Sequence, residues 1–177
     1  MSSFSDRLNK TVDNLTSKFA SVRTGRANPS LLSSIVVDYY GASMPIQQLA
    51  SVNASDGTTL VVNVFDRAAV SAVEKAIMVS DLGLNPQTDG TIIRLRLPDL
   101  TEARRNDLVK YIKKLSEEGK VALRNIRRDE LDAIKKDGGL SDDEKKRQSE
   151  AIQKQLDGYI LKIDGLVKEK EADIRTI

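Results

Sequence analysis

Six cations in the second half of the chain have the type and spacing to do chemistry together. At about 100° per residue, Lys110, Lys113, Lys120, Arg124, Arg127 and Arg128 fall on one side of a helix, with Glu117 the sole acid among them. Leu108, Ile112, Leu115, Ala122, Leu123 and Ile126 fall on the other. Ion pairs that steady a lone helix alternate in sign at spacings of three or four, and this run does not. Guanidinium groups present planar forks of N–H donors that match phosphate oxygens, and a rigid rod fixes where each charge meets a polyphosphate backbone. The stripe has a second reading, as a solvated face whose arginines pair with acids such as Glu130 or with a neighbouring helix. Arg23 and Arg26 flank Gly25 in a second basic site. It reads either as a functional contact or as cations complementing the end of a helix.

Other chemistry is excluded or unsupported. The chain of 177 residues holds no Cys and no His. That removes disulfides, imidazole triads and zinc sites built from those ligands, and it points to a reducing, cytoplasmic setting. Phosphate-binding glycine loops and the nucleophile elbow are missing from the sequence, so no catalytic residue, no metal and no cofactor is expected. Asp142, Asp143 and Glu144 are consecutive on one turn and read as capping chemistry rather than a metal site. Arg94 and Arg96 alternate with apolar neighbours, as on the solvent face of a strand. Tyr111 and Tyr159 lie near apolar stripes and read as core. The start of the chain has no signal-peptide run, and no stretch approaches a membrane span.

The elements that must position these cations are legible from periodicity. Phe4, Leu8, Val12, Leu15, Phe19 and Val22 mark a first helix, ended by Gly25 and Asn28-Pro29. Residues 35–40, 60–65 and 93–97 read as strands, with shorter pieces around Met44–Ile46 and Leu49–Val52. Between them lies a helix capped by Asp66 and closed by Gly83, then a turn-rich loop from Asn85 to Gly90. Thr101 caps a helix running to Asp137, and Ser141 with Glu144 forms a capping box for a third. Long helices of this kind must bury their apolar stripes against one another.

The expected fold is therefore α+β with two domains. Residues 1–29 and 101–177 form a long three-helix bundle, and residues 30–100 form a small α/β domain inserted between its first and second helices. The outer segments carry 24 basic and 19 acidic residues, and the insert carries 4 and 7, so the basic excess belongs to the bundle. Two thin connections, each containing Pro, join the domains as a hinge.

A set of motifs adds a resemblance. Arg23-Thr-Gly-Arg-Ala27, Asn28-Pro-Ser-Leu31, Val36-Val-Asp-Tyr-Tyr-Gly41, Asn63-Val-Phe-Asp-Arg67, Ser80-Asp-Leu-Gly-Leu-Asn-Pro86, Leu100-Thr-Glu102 with Arg104-Arg105, and Arg124-Asn-Ile-Arg-Arg-Asp129 resemble the bacterial ribosome recycling factors, in order and over nearly the whole chain. The resemblance implies a transfer-RNA-like L shape. It also implies a function in binding the post-termination ribosome and, with elongation factor G and GTP, separating its subunits so that translation restarts. It places Arg127 at the functional centre of the bundle. Arg23, Arg26, Arg105, Arg124 and Arg128 then join Lys120 of the stripe against large-subunit ribosomal RNA. Ala27, Asn28, Pro29, Pro98 and Thr101 are the expected hinge. The expected protein is a monomer, not an enzyme, with the ribosome and elongation factor G as partners and no membrane. A helical protein-binding adaptor and a carboxylate enzyme are the competing classes.

Overall fold

The computed structural model describes residues 3–176. Three long helices, α1 (Phe4–Ala20), α4 (Glu102–Lys136) and α5 (Asp142–Arg175), enclose in sequence a small sheet domain. The chain divides into two compact units, Met1–Phe19 with Val109–Ala172, and Ala20–Leu108 with Asp173–Ile177.

In the helical unit the periodic apolar residues do what their spacing demands. Leu8, Leu15 and Phe19 of α1, Ile112, Leu115 and Leu123 of α4, and Leu156 and Ile163 of α5 are buried. A side chain of that size contributes about 1.5–3 kcal/mol on full burial. Gly119 marks a close approach of the three helices. A Cβ there would lie 3.2 Å from Leu15 Cδ2 and 3.6 Å from Ile163 Cδ1. Polar cross-links give the directions. Arg7 pairs with Asp129 at 3.1 Å while Leu15 packs at Gly119, so α1 and α4 are antiparallel, and the Tyr159 hydroxyl donates to Asn9 at 2.6 Å while Gln155 donates to Ser5, so α1 and α5 run parallel.

The helix ends are fixed by their first residues. Ser3 and Asp6 exchange reciprocal hydrogen bonds at the start of α1. The Arg104 amide donates to Thr101 Oγ1 at 3.2 Å at the start of α4. Ser141 and Glu144 close the expected capping box on α5, with the Ser141 amide donating to Glu144 Oε2 at 2.8 Å. The Glu144 carboxyl is held below its usual range by the Ser141 hydroxyl and amide.

The sheet unit contains β1 (Val36–Tyr39) and β2 (Ala42–Pro45) as a hairpin, then a helical turn α2 (Ile46–Leu49). A four-stranded antiparallel sheet follows, in the order β3 (Ala50–Ala54), β4 (Thr59–Val64), β6 (Ile92–Arg96), β5 (Pro86–Asp89), with α3 (Val70–Val79) inserted after β4. Leu32, Val37, Ile46, Leu60, Val62, Val73, Ile77, Ile93 and Leu95 form one continuous core. The β1–β2 turn puts Tyr40 at φ +51° and Gly41 at φ +76°. Two consecutive positive φ values make the turn whose twist suits a two-residue hairpin.

Four expectations need correction. The first helix ends at Ala20, not at Gly25, although Val22 and Thr24 beyond it are buried. Residues 85–90 are not all loop, because Pro86–Asp89 is an edge strand paired with β6. The helix expected to close at Gly83 ends at Val79, with Ser80 at its C-terminal cap. Tyr111 is 50% exposed and so is not core, while Tyr159 is half-buried with Lys162 Nζ 4.6 Å from its ring centroid.

Candidate nucleic-acid interface

Helix α4 carries the cations, and the structure treats them unequally. Lys120, with its side chain 16% exposed, sits 2.7 Å from Asp164 of α5 and 3.6 Å from Glu117. The hydrogen bond to Asp164 raises its pKa, so its charge is held by its own protein. Arg124 is 51% exposed and approaches Glu117 only at 3.9 Å. Arg128 is exposed, and its guanidinium meets the Asn125 amide oxygen at 3.4 Å. Lys110 and Lys113 are exposed.

Arg127 differs from all of these. Its Nη1 donates to the Gln153 amide oxygen at 2.8 Å across the α4–α5 seam. Its Nε is buried and has no hydrogen-bond partner among the described residues. No carboxylate pairs with Arg127 or Arg128 among the described residues. An amide acceptor fixes a guanidinium without cancelling its charge, whereas a carboxylate would do both.

The second basic group lies in the sheet unit with the helix ends that belong to it. The Arg23 guanidinium donates to the Pro98 carbonyl, and its Nε is buried without a partner among the described residues. Burial and the neighbouring Arg104 and Arg105 lower the Arg23 pKa, against the pull of Asp99. Because α1 stops at Ala20, Arg23 bonds a carbonyl of the second connection rather than the last turn of its own helix. Arg105 donates from Nη1 to the carbonyls of Ile174 at 2.6 Å and Thr176 at 3.1 Å, and from Nε to Leu100 at 3.4 Å. A cation there satisfies carbonyls left open at a helix C-terminus. Arg26 is exposed, and its carbonyl accepts from the Thr24 hydroxyl at 3.2 Å.

The candidate hinge residues also take defined places. Asn28 accepts from the Ser30 amide at 3.0 Å and caps the short turn that begins at Pro29. The Ala27 amide donates to Gly57 at 2.8 Å, and the Leu97 amide donates to Thr58 at 2.7 Å. Both connections are therefore tied to one turn, between β3 and β4. Asp56 holds that turn by accepting from the Thr58 amide at 2.8 Å and its hydroxyl at 3.1 Å. Sequence reasoning missed Gln153, Asp164, Gly57 and Thr58. Only Gln153 and Asp164 had a detectable signal, as polar residues on the face of α5 next to its apolar stripe.

Among the described residues no helix is long and apolar enough to cross a membrane. Among them no cluster of three or more His, Cys, Asp or Glu side chains comes together either.

Comparison with known proteins agrees on one family. The family model described as ribosome recycling factor matches residues 15–174. Ribosome-recycling factors from a Cyanothece species, Staphylococcus haemolyticus and Bacillus velezensis are 50%, 47% and 48% identical to the chain. Each alignment covers 97% of this chain, and 96%, 95% and 95% of those relatives respectively. Among solved structures, a solution structure of a ribosome recycling factor superposes with a TM-score of 0.79 at 40% identity, covering 98% of this chain and 94% of the other. A second, 46% identical with a TM-score of 0.67, covers 98% of this chain and 95% of its own. It is described as models for the T. thermophilus ribosome recycling factor and the E. coli elongation factor G bound to the E. coli post-termination complex. With a match over nearly its whole length, the chain belongs to the ribosome recycling factor family.

Proposed function

We propose that this chain binds the post-termination ribosome by laying the basic side of α4 on large-subunit ribosomal RNA, and that with elongation factor G and GTP it drives the subunits apart. The observation that carries the RNA contact is the amide-held, un-neutralised Arg127, with Arg124 and Arg128 exposed on the same helix. Cations fixed on a rod and not cancelled by their own protein are the donors a phosphate backbone selects. Lys120, already paired with Asp164 and Glu117, contributes less. Arg23, Arg26 and Arg105 form a second contact, where Arg105 keeps N–H groups beyond those its carbonyl partners use.

The mechanical part of the proposal rests on the two connections. Residues 1–29 and 101–177 dock as one body, and residues 30–100 swing when the GTPase acts. Ala27, Asn28, Pro29, Pro98 and Thr101 form the hinge. The protein makes and breaks no covalent bond itself. It acts as a cytoplasmic monomer, and GTP hydrolysis belongs to its partner.

Sedimentation with purified ribosomes over a range of salt concentrations tests the docking. Binding should weaken steeply with salt, because each neutralised phosphate releases counterions. Arg127→Ala should weaken binding by about ten- to a hundredfold, the equivalent of a charge-assisted hydrogen bond of about 1.5–3 kcal/mol. A flat salt response, or wild-type binding by the variant, overturns the reading.

A further inference from the structure

We infer that Gln153 and Asp157 on α5 are positioning residues for Arg127, and that they aim its guanidinium at a phosphate through a relay that carries no neutralising charge to it. The inference rests on the docking reading above and extends it to residues outside the basic stripe. Gln153 Oε1 accepts from Arg127 Nη1 at 2.8 Å, and Gln153 Nε2 donates to Asp157 Oδ1 at 2.9 Å. An arginine can only donate and an ionised aspartate can only accept, so the two partners leave the amide a single orientation. Asp157 thus orients Gln153, and Gln153 orients Arg127. One helical turn separates the two α5 residues, which puts them on the same face.

The same geometry selects which edge of Arg127 is offered. Its Nε is buried without a partner among the described residues, and one Nη1 hydrogen is taken by Gln153. The remaining N–H groups on Nη1 and Nη2 are the ones left for a phosphate. Lys120, a few residues earlier on α4, shows the alternative. There α5 supplies the Asp164 carboxylate directly, and the cation is paired within the protein. At Arg127 an amide takes the carboxylate's place, and the acid stands one residue further back.

Ribosome binding by the full-length chain tests this with three variants and Arg127→Ala as the reference. Gln153→Ala removes the aim and should weaken binding about five- to tenfold, since an oriented charge-assisted bond is worth about 1.5 kcal/mol or less once its geometry is lost. Gln153→Glu keeps the acceptor but sets a carboxylate on the guanidinium. It should weaken binding by a similar factor and flatten the slope of log K against log salt by about one unit, the mark of one lost phosphate contact. Gln155→Ala removes a different α1–α5 link, to Ser5, and should leave ribosome affinity unchanged. Thermal melts accompany each variant. If both Gln153 variants melt cooperatively and bind like the wild type while Arg127→Ala does not, the positioning role is overturned and the docking reading stands. If Gln155→Ala weakens binding as much as Gln153→Ala, the effect comes from the bundle as a whole and positioning is overturned. If Arg127→Ala is itself unaffected, both readings fall together.

Discussion

The sheet unit uses two of its acids to hold turns, whereas the helical unit sets two of its arginines against amides and leaves their charge unpaired. Asp56 and Asp66 each accept from a backbone amide two residues on, and both carboxyls are held below their usual range chiefly by those bonds. Asp66 also accepts from the Tyr39 hydroxyl at 2.8 Å. In the helical unit Arg127 and Arg128 contact amide oxygens, and Arg124 keeps half its surface in solvent. The difference separates scaffold charge from functional charge. A charge matched by its own protein stabilises a turn or a seam, and a charge oriented but unmatched can recognise a partner.

The comparison can be broken at its structural base first. Ile163→Ala removes a fully buried side chain beside Gly119 and Leu15, and should cost about 2–5 kcal/mol of helical-unit stability. Circular dichroism of the melt checks the size. A loss below about 1 kcal/mol would mean that the three helices do not share the close approach seen at Gly119.

Lys120→Met sharpens the contrast within α4. It should cost about 1 kcal/mol in chemical denaturation, from the lost Asp164 pair, yet change ribosome affinity less than threefold. An affinity loss matching that of Arg127→Ala would erase the distinction between paired and unpaired cations.

The smallest effect concerns the sheet unit. Donation to Asp66 pushes the Tyr39 pKa up to about 12, and that bond is present only while the phenol keeps its proton. A folded pKa raised above the unfolded value, near 10, gives stabilisation that is complete below pH 10 and disappears as pH rises through about 12. Asp66 works in the opposite sense. Its depressed folded pKa gives stabilisation that is present above the unfolded value, near 3.9, and lost as pH falls through the folded one. Ultraviolet titration should find one tyrosine ionising near pH 12 in the wild type, moving toward 10 in Asp66→Ala. No movement would remove Asp66 as the cause.

Much of the architecture was legible because local physics sets it. Thr101, Ser141 and Glu144 cap where short polar side chains must meet free amides. The alternation in Ile93-Arg94-Leu95-Arg96 appears as buried Ile93 and Leu95 between exposed arginines. β5 was hidden because Pro, Gln, Thr and Asp form a poor strand alone. As an edge strand it pairs only with β6, and Pro86 stands at its first position, where an absent donor is tolerated.

By itself the sequence determined the stripes, the caps and the fact that basic side chains gather along one side of α4, since those follow from residue type and helical period. Only the tertiary structure decided which of them are paired with a carboxylate of the protein and which are not. Wedged between α1 and α5, α4 buries Val109 and Ser116 beside the expected Ile112, Leu115 and Leu123, and leaves Leu108, Ala122 and Ile126 half-buried. Whether a cation then meets Asp164 or Gln153 depends on the register of a helix more than twenty-five residues away in sequence. Periodicity along one helix carries no information about that register, because it is set by how two separate side-chain surfaces interlock.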